Sequence, residues 1–163
     1  RFQLIAAMNP CPCGYALDTQ ASCRCTQEQI QRYRTRLSGP LLDRIDLHLE
    51  VPALPKHLLT RAEQGQNESS ATVRARVLEA RRLQAARQPV LNAQLTDKHL
   101  EENCRLSEEV QDFLGKTLER LQLSARGYHR ILRVARTIAD LAACAQLEVA
   151  HLSEALTYRR PDK

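Results

Sequence analysis

The sequence predicts a mainly α chain with a short α/β portion at its start, and three observations carry this. From residue 70 onward, apolar residues recur every three or four positions, which is helical spacing. Two short runs, 2–8 and 47–51, read instead as strands: the first is continuously apolar, and in the second Leu47, Leu49 and Val51 alternate with His48 and Glu50. A polar stretch at 63–70, Glu-Gln-Gly-Gln-Asn-Glu-Ser-Ser, separates the two kinds of sequence as a linker.

Bulk composition bounds the possibilities. The 163 residues, 43% hydrophobic, suffice for one full domain or two small ones with a buried core. No run approaches the ~18 apolar residues of a membrane span, and the start lacks the layout of a secretory signal, which argues for a cytoplasmic protein. Basic residues outnumber acidic ones 24 to 19, and only Lys56, Lys98, Lys116 and Lys163 are lysines, so arginine carries most of the positive charge. That bias suits bidentate phosphate and carboxylate contacts, although a GC-rich genome produces it too. A net charge of +5 permits nucleic acid as a partner without demanding it. The chain starts without methionine on what reads as a buried strand already under way, so a fragment of a longer protein is expected. Its glycines, Gly14, Gly39, Gly65, Gly115 and Gly127, are too scattered to build a P-loop.

Taken in order, the first strand ends at Asn9-Pro10. Open α/β sheets place ligand-facing groups at such a carboxyl end, while Asn-Pro is also an ordinary turn initiator. Cys11-Pro12-Cys13 and Cys23-Arg24-Cys25 follow. Two close thiol pairs can surround one tetrahedral zinc, and a closed four-sulfur site would be structural. Two disulfides are the competing account, disfavoured in the cytosol. Cys104 and Cys144 fall in helical patterns and read as small buried apolar residues.

Thr26 is placed to cap a helix running to residue 36, with Ile30, Tyr33 and Leu37 on one face and Arg32, Arg34 and Arg36 outward. Gly39-Pro40 then opens a short helical turn that leads into the second strand, and Arg44 sits at the junction between Asp43 and Asp46. Two readings stand there: an ion pair with its acidic neighbours, or a guanidinium displayed toward a phosphate on another subunit.

Beyond the linker, Val73, Val77 and Ala80 form a narrow stripe amid solvated arginines until Pro89 ends the helix. Ser107 caps a helix with Val110, Phe113, Leu114, Leu118 and Leu121 as core. Near Ser124 another begins, burying Ile131, Val134, Ala135, Ile138 and Ala142, with Arg126, Arg130 and Arg133 on a face about 130° away. Arg126 lies in the first turn, where the helix dipole disfavours a cation, so either a nearby anion or an unseen salt bridge accounts for it. A last helix, 148–158, packs through Val149, Leu152, Ala155 and Leu156.

Three stretches in this order are specific: Ala-Ala-Met-Asn9-Pro-Cys-Pro-Cys-Gly, Ser-Gly-Pro-Leu-Leu-Asp-Arg44-Ile-Asp-Leu, and Ser-Ala-Arg126-Gly with Arg-Ile-Leu-Arg-Val-Ala-Arg-Thr-Ile-Ala-Asp-Leu. Over essentially the whole chain they resemble magnesium-chelatase-like AAA+ ATPases of the ComM/YifB type. The resemblance implies that Asn9 is the sensor-1 residue orienting the attacking water, Arg44 the arginine finger acting in trans, and Arg126 the sensor-2 arginine on the lid. It implies a homohexameric ring in the parent protein, ATP with Mg as its nucleotide, and branched or single-stranded DNA as its partner during branch migration in transformation and recombination. The Cys pairs belong to the ComM-like branch and are not expected in magnesium chelatase subunits of pigment synthesis.

The expected organisation is therefore the carboxyl-terminal tail of an AAA+ core with about two strands at 1–52, carrying a Cys-rich insertion at 11–25, then a linker at 53–70 and a helical lid at 71–163. Zinc at Cys11, Cys13, Cys23 and Cys25 is expected to be structural. Without a P-loop and metal-binding acids, this piece alone is expected to be inactive. Two alternatives remain: a zinc-stabilised nucleic-acid-binding module, and the ATPase subunit of a metal chelatase.

Overall fold

The computed structural model describes residues 3–17, 22–42, 44–52, 68–121 and 123–159. It divides into two compact units, Arg1–Ile45 with Leu49–Glu63, and Asp46–His48 with Gln64–Lys163.

In the first unit, α1 (Gln27–Arg34) begins at a capping box in which the Thr26 hydroxyl accepts from the Gln29 N–H and the Gln29 side chain accepts from the Thr26 N–H. Ile30, Tyr33 and Leu37 form its half-buried side, as the spacing predicts. The short α2 (Gly39–Leu42) follows, with the Ser38 hydroxyl accepting from Leu41 N–H. The two expected strands are not formed among the described residues. A strand exists only as a member of a ladder, and here Ile5 is 85% and Val51 88% exposed. His48 instead gives its N–H to the Tyr158 carbonyl, just past the last helix.

The second unit is helical: α3 (Ser70–Arg87), a 3₁₀ turn (Asn92–Gln94), α4 (Asp97–Asn103), α5 (Glu108–Arg120), α6 (Ala125–Leu141) and α7 (Val149–Thr157). The mainly α expectation holds. Ser69, Thr96, Ser107 and Ser124 each accept from the backbone N–H three residues on, and each such cap contributes about 1 kcal/mol. Helix α6 is central, packing against α3, the 3₁₀ turn, α4 and α7. Leu132, Ala135 and Ala139 on it are fully buried, with Leu100 and Leu152 from its neighbours. A fully buried leucine contributes roughly 1.5–3 kcal/mol, and the two alanines let backbones approach closely.

Some expectations about packing change, and Ala142, expected on the buried face of α6, is exposed at its carboxyl end. Val73 and Val77 lie 38% and 41% exposed, because α3 meets the core only from Ala80 onward. Arg87 is not simply solvated. It clamps the Asp140 carboxylate with two bonds, 2.7 and 2.9 Å, while the fully buried Arg136 reaches the same carboxylate at 3.1 Å and also donates to the Ala145 and Cys144 carbonyls. Asn92 joins Asp140 at 2.8 Å, and Gln88 and Gln84 bond Asn92, so this charged centre is satisfied.

Candidate functional site

The Cys-rich stretch closes on itself. Gly14 N–H donates to the Cys11 carbonyl at 3.0 Å with Pro12 between them, a tight turn that leaves Gly14 at φ +85°, where a side chain would be strained. The turn brings Cys11 and Cys13 sulfurs to 3.3 Å, and Cys23 lies 3.8 and 3.5 Å from them. All four sulfurs, including Cys25, lie within 4.8 Å of one another. No two are bonded: all four cysteines are free thiols. Zn–S bonds of ~2.3 Å in a tetrahedron require sulfurs about 3.8 Å apart, against ~2.05 Å in a disulfide. The spacing therefore fits a metal ion and not two disulfides.

Electrostatics point the same way. The backbone amides of Tyr15 and Arg24, helped by the Cys11 thiol, lower Cys13 to about 6, so it is a thiolate at neutral pH. The amide of Cys25 also stabilises the Cys23 thiolate, but desolvation and the neighbouring sulfurs outweigh it and push Cys23 up. The Cys13 amide favours the Cys25 thiolate, yet desolvation and the same sulfurs together outweigh it and push Cys25 to about 12. Four crowded thiols cannot all ionise without a cation among them. Amides donating to the sulfurs are the outer-shell contacts that orient thiolate ligands. The donor set thus fits zinc, held by Cys11, Cys13, Cys23 and Cys25.

Asn9 lies beside this turn. Its carboxamide is exposed and bonds no described residue, and a β-carbon on Gly14 would stand 3.7 Å from its Nδ2 and 3.8 Å from its Cγ. Arg44 is exposed just past α2, donating a single bond of 2.8 Å to the Pro40 carbonyl. Four of the five guanidinium donors meet no acceptor among the described residues. Of its acidic neighbours, Asp43 lies outside the described residues and Asp46 faces Arg130 at 3.5 Å.

In the helical unit, the three arginines on one face of α6 have separate fates. Arg133 donates to the Leu95 carbonyl and to Asp97, and so ties α4 to α6. Arg130 is mostly buried against Asp46, with its Nη1 left without a partner among the described residues. Arg126, second residue of α6, is exposed and pairs with nothing described. Sequence reasoning missed Arg159, whose guanidinium lies 3.8 Å from where a β-carbon of Gly127 would stand, at the same helix start. Nothing in its local sequence marks it, because only the packing of α7 beside α6 brings residue 159 there.

Two comparisons with known families match. The family described as magnesium chelatase, subunit ChlI C-terminal, covers residues 67–159, and magnesium chelatase, subunit ChlI, covers 1–59. The chain is 49% identical to competence protein ComM of Haemophilus influenzae over 98% of its own length and 31% of that protein. It is 47% identical to the uncharacterized protein YifB of Salmonella typhimurium and to that of Escherichia coli, over 100% of this chain and 32% of each. The chain thus spans about a third of the length of these curated relatives. On these matches the chain belongs to the magnesium chelatase subunit ChlI family, as a ComM/YifB-type member.

Proposed function

We propose that this chain supplies three of the groups that act on the γ-phosphate in a hexameric AAA+ ATPase, and that the complete protein uses ATP and Mg to remodel DNA, as a branch-migration helicase does. Asn9 orients the attacking water, Arg44 neutralises charge on a neighbour's nucleotide, and Arg126 holds the nucleotide of its own subunit. Phosphoryl transfer is mostly positioning and charge neutralisation, so uncommitted donors are the groups it needs. The observation that carries the reading is Arg126, a cation with no partner among the described residues in the first turn of a 17-residue helix, where an anion would relieve the dipole. In this reading residues 1–52 end the ATPase core, 53–70 link, and 71–163 form the lid. The free thiols suit a reducing cytoplasm.

Steady-state ATPase measurements on the full-length protein test these roles. Asn9→Ala and Arg44→Ala should lower kcat, the latter by ~10³ or more, with KM little changed, whereas Arg126→Ala should raise KM for ATP. Wild-type kinetics in all three overturn the assignment. The isolated chain should show no turnover, and turnover by the pure chain refutes that expectation. DNA-stimulated ATPase distinguishes remodelling from the chelatase role that the family's name describes, in which a metal-loading partner would stimulate instead.

The four-thiol cluster favours a second, compatible reading, a zinc-braced module that binds nucleic acid. DNA binding by the chain alone with a steep salt dependence supports it. Salt-independent or absent binding removes it.

A further inference from the structure

Asn9 is joined to the cysteine cluster twice. Covalently, only Pro10 separates it from Cys11, and proline fixes its own φ. Through space, the turn that follows folds back until a β-carbon on Gly14 would stand 3.7 Å from the Asn9 Nδ2, and Gly14 holds a φ of +85° that glycine alone adopts readily. The middle of this loop is the fully buried Cys11, whose sulfur lies 3.8 Å from Cys23, twelve residues on. Whatever holds Cys23 against Cys11 and Cys13 thus acts on the same turn that carries Gly14 to the side of the Asn9 carboxamide. No described residue hydrogen-bonds the Asn9 side chain.

We propose that the four-cysteine turn is the positioning device for Asn9: closing Cys11, Cys13, Cys23 and Cys25 around one zinc sets the orientation of the Asn9 carboxamide, and Gly14 transmits it. This rests on the sensor-1 reading of Asn9 for its consequence, but not for its geometry. Loss of the metal frees the Cys11–Gly14 turn from the second cysteine pair, and the Asn9 amide beside that turn then loses its fixed orientation. A structural site some residues away from the phosphate chemistry thereby regulates it. Gly14 has no reactive group and acts only through Asn9.

The test follows the side-chain ¹⁵NH₂ resonances of Asn9 in this 163-residue chain, assigned with Asn9→Gln, when bound zinc is stripped by chelator under reducing conditions. The Gln29 side-chain amide, held in the α1 capping box of the same unit, is the internal control for unfolding. The expected result is about one zinc per chain before stripping, and afterwards a shift and broadening of the Asn9 pair that zinc re-addition reverses while Gln29 stays in place. Should Gln29 also collapse, Gly14→Ala decides, because it keeps all four thiols. In that variant the Asn9 pair should move, and kcat of the full-length protein should fall with KM for ATP unchanged. An Asn9 pair that stays put on stripping, or in Gly14→Ala whether or not zinc is retained, overturns the proposal. The sensor-1 reading fails separately: if Asn9→Ala keeps wild-type kcat, Asn9 is not the sensor, even where the zinc-dependent shift is seen.

Discussion

At the residue scale, Asp140 shows how far a buried charge can be satisfied. Desolvation raises its carboxyl, but bonds from Arg87 and Asn92 and the charge of Arg136 outweigh it and hold the group below the usual carboxylate range. Replacing Asp140 with Ala leaves the buried Arg136 and the partly buried Arg87 without their anion, so denaturant unfolding should show a loss of roughly 3–5 kcal/mol. The sign with pH follows. A folded-state value below the unfolded one gives stability that is fully present above about pH 4, the unfolded aspartate range, and is lost as pH falls through the lower folded value. Acid titration of unfolding should show this loss in the wild type and a flatter curve in Asp140→Asn; equal slopes refute it. None of this network was legible in the sequence. Arg136 and Asp140 stand four apart on a helix, the pattern of an exposed surface pair, and their decisive partner Arg87 lies 53 positions from Asp140. Arg126 stood out in the sequence because its misfit is with its own helix end, and in the structure it is exposed there.

At the element scale, what could be read locally was read, and what depended on a neighbour was not. The caps at Thr26, Ser107 and Ser124 follow from local hydrogen bonding, and all three helices start there. The seven-residue α4 was missed because it is too short to display an amphipathic stripe. The strands were expected from a continuous apolar run at 2–8 and from alternation at 47–51, patterns that mark a face or a burial but supply no partner. The end of α6 carries a cost of its own. Cys144 N–H donates to the Ala139 carbonyl and Ala143 N–H to that of Asp140, a Schellman motif that forces Ala143 to φ 56°. Glycine is the usual residue there, so Ala143→Gly should raise the stability of the helical unit by up to ~1 kcal/mol in thermal or denaturant unfolding. A destabilised variant would mean that the alanine methyl packs better than its exposure suggests. Helix α3 should be uneven for a related reason. Residues 70–79 are all exposed, whereas Ala80 and Gln84 are buried. Amides of its first two turns should exchange with deuterium well ahead of those of α6, and uniform protection along α3 would contradict that.

At the scale of the whole protein, Arg44 separates a ring from an independent enzyme. Its motif could be read from the sequence, but its surroundings could not: an arginine between two aspartates reads as an ion pair, whereas among the described residues Asp46 faces Arg130 and the guanidinium makes one carbonyl bond. If Arg44 serves a neighbour's nucleotide, the head-to-tail contacts of a ring divide each active site between two subunits. An Arg44→Ala subunit then keeps its own nucleotide site and lacks only what it gives away. A subunit with a defective P-loop keeps Arg44 and lacks the nucleotide. Each homomer should be inactive, yet in randomly mixed rings at equal ratio about one interface in four joins an intact nucleotide site to an intact arginine, since each condition is met half the time. Mixing the two full-length variants should therefore restore up to roughly a quarter of wild-type ATPase, reaching a maximum near equal ratio. Action within one subunit leaves every subunit lacking one essential group, so no mixture recovers activity. Subunit exchange, followed by fluorescence energy transfer between labelled variants, ensures that a flat response reflects the chemistry of Arg44 and not a failure of the rings to mix.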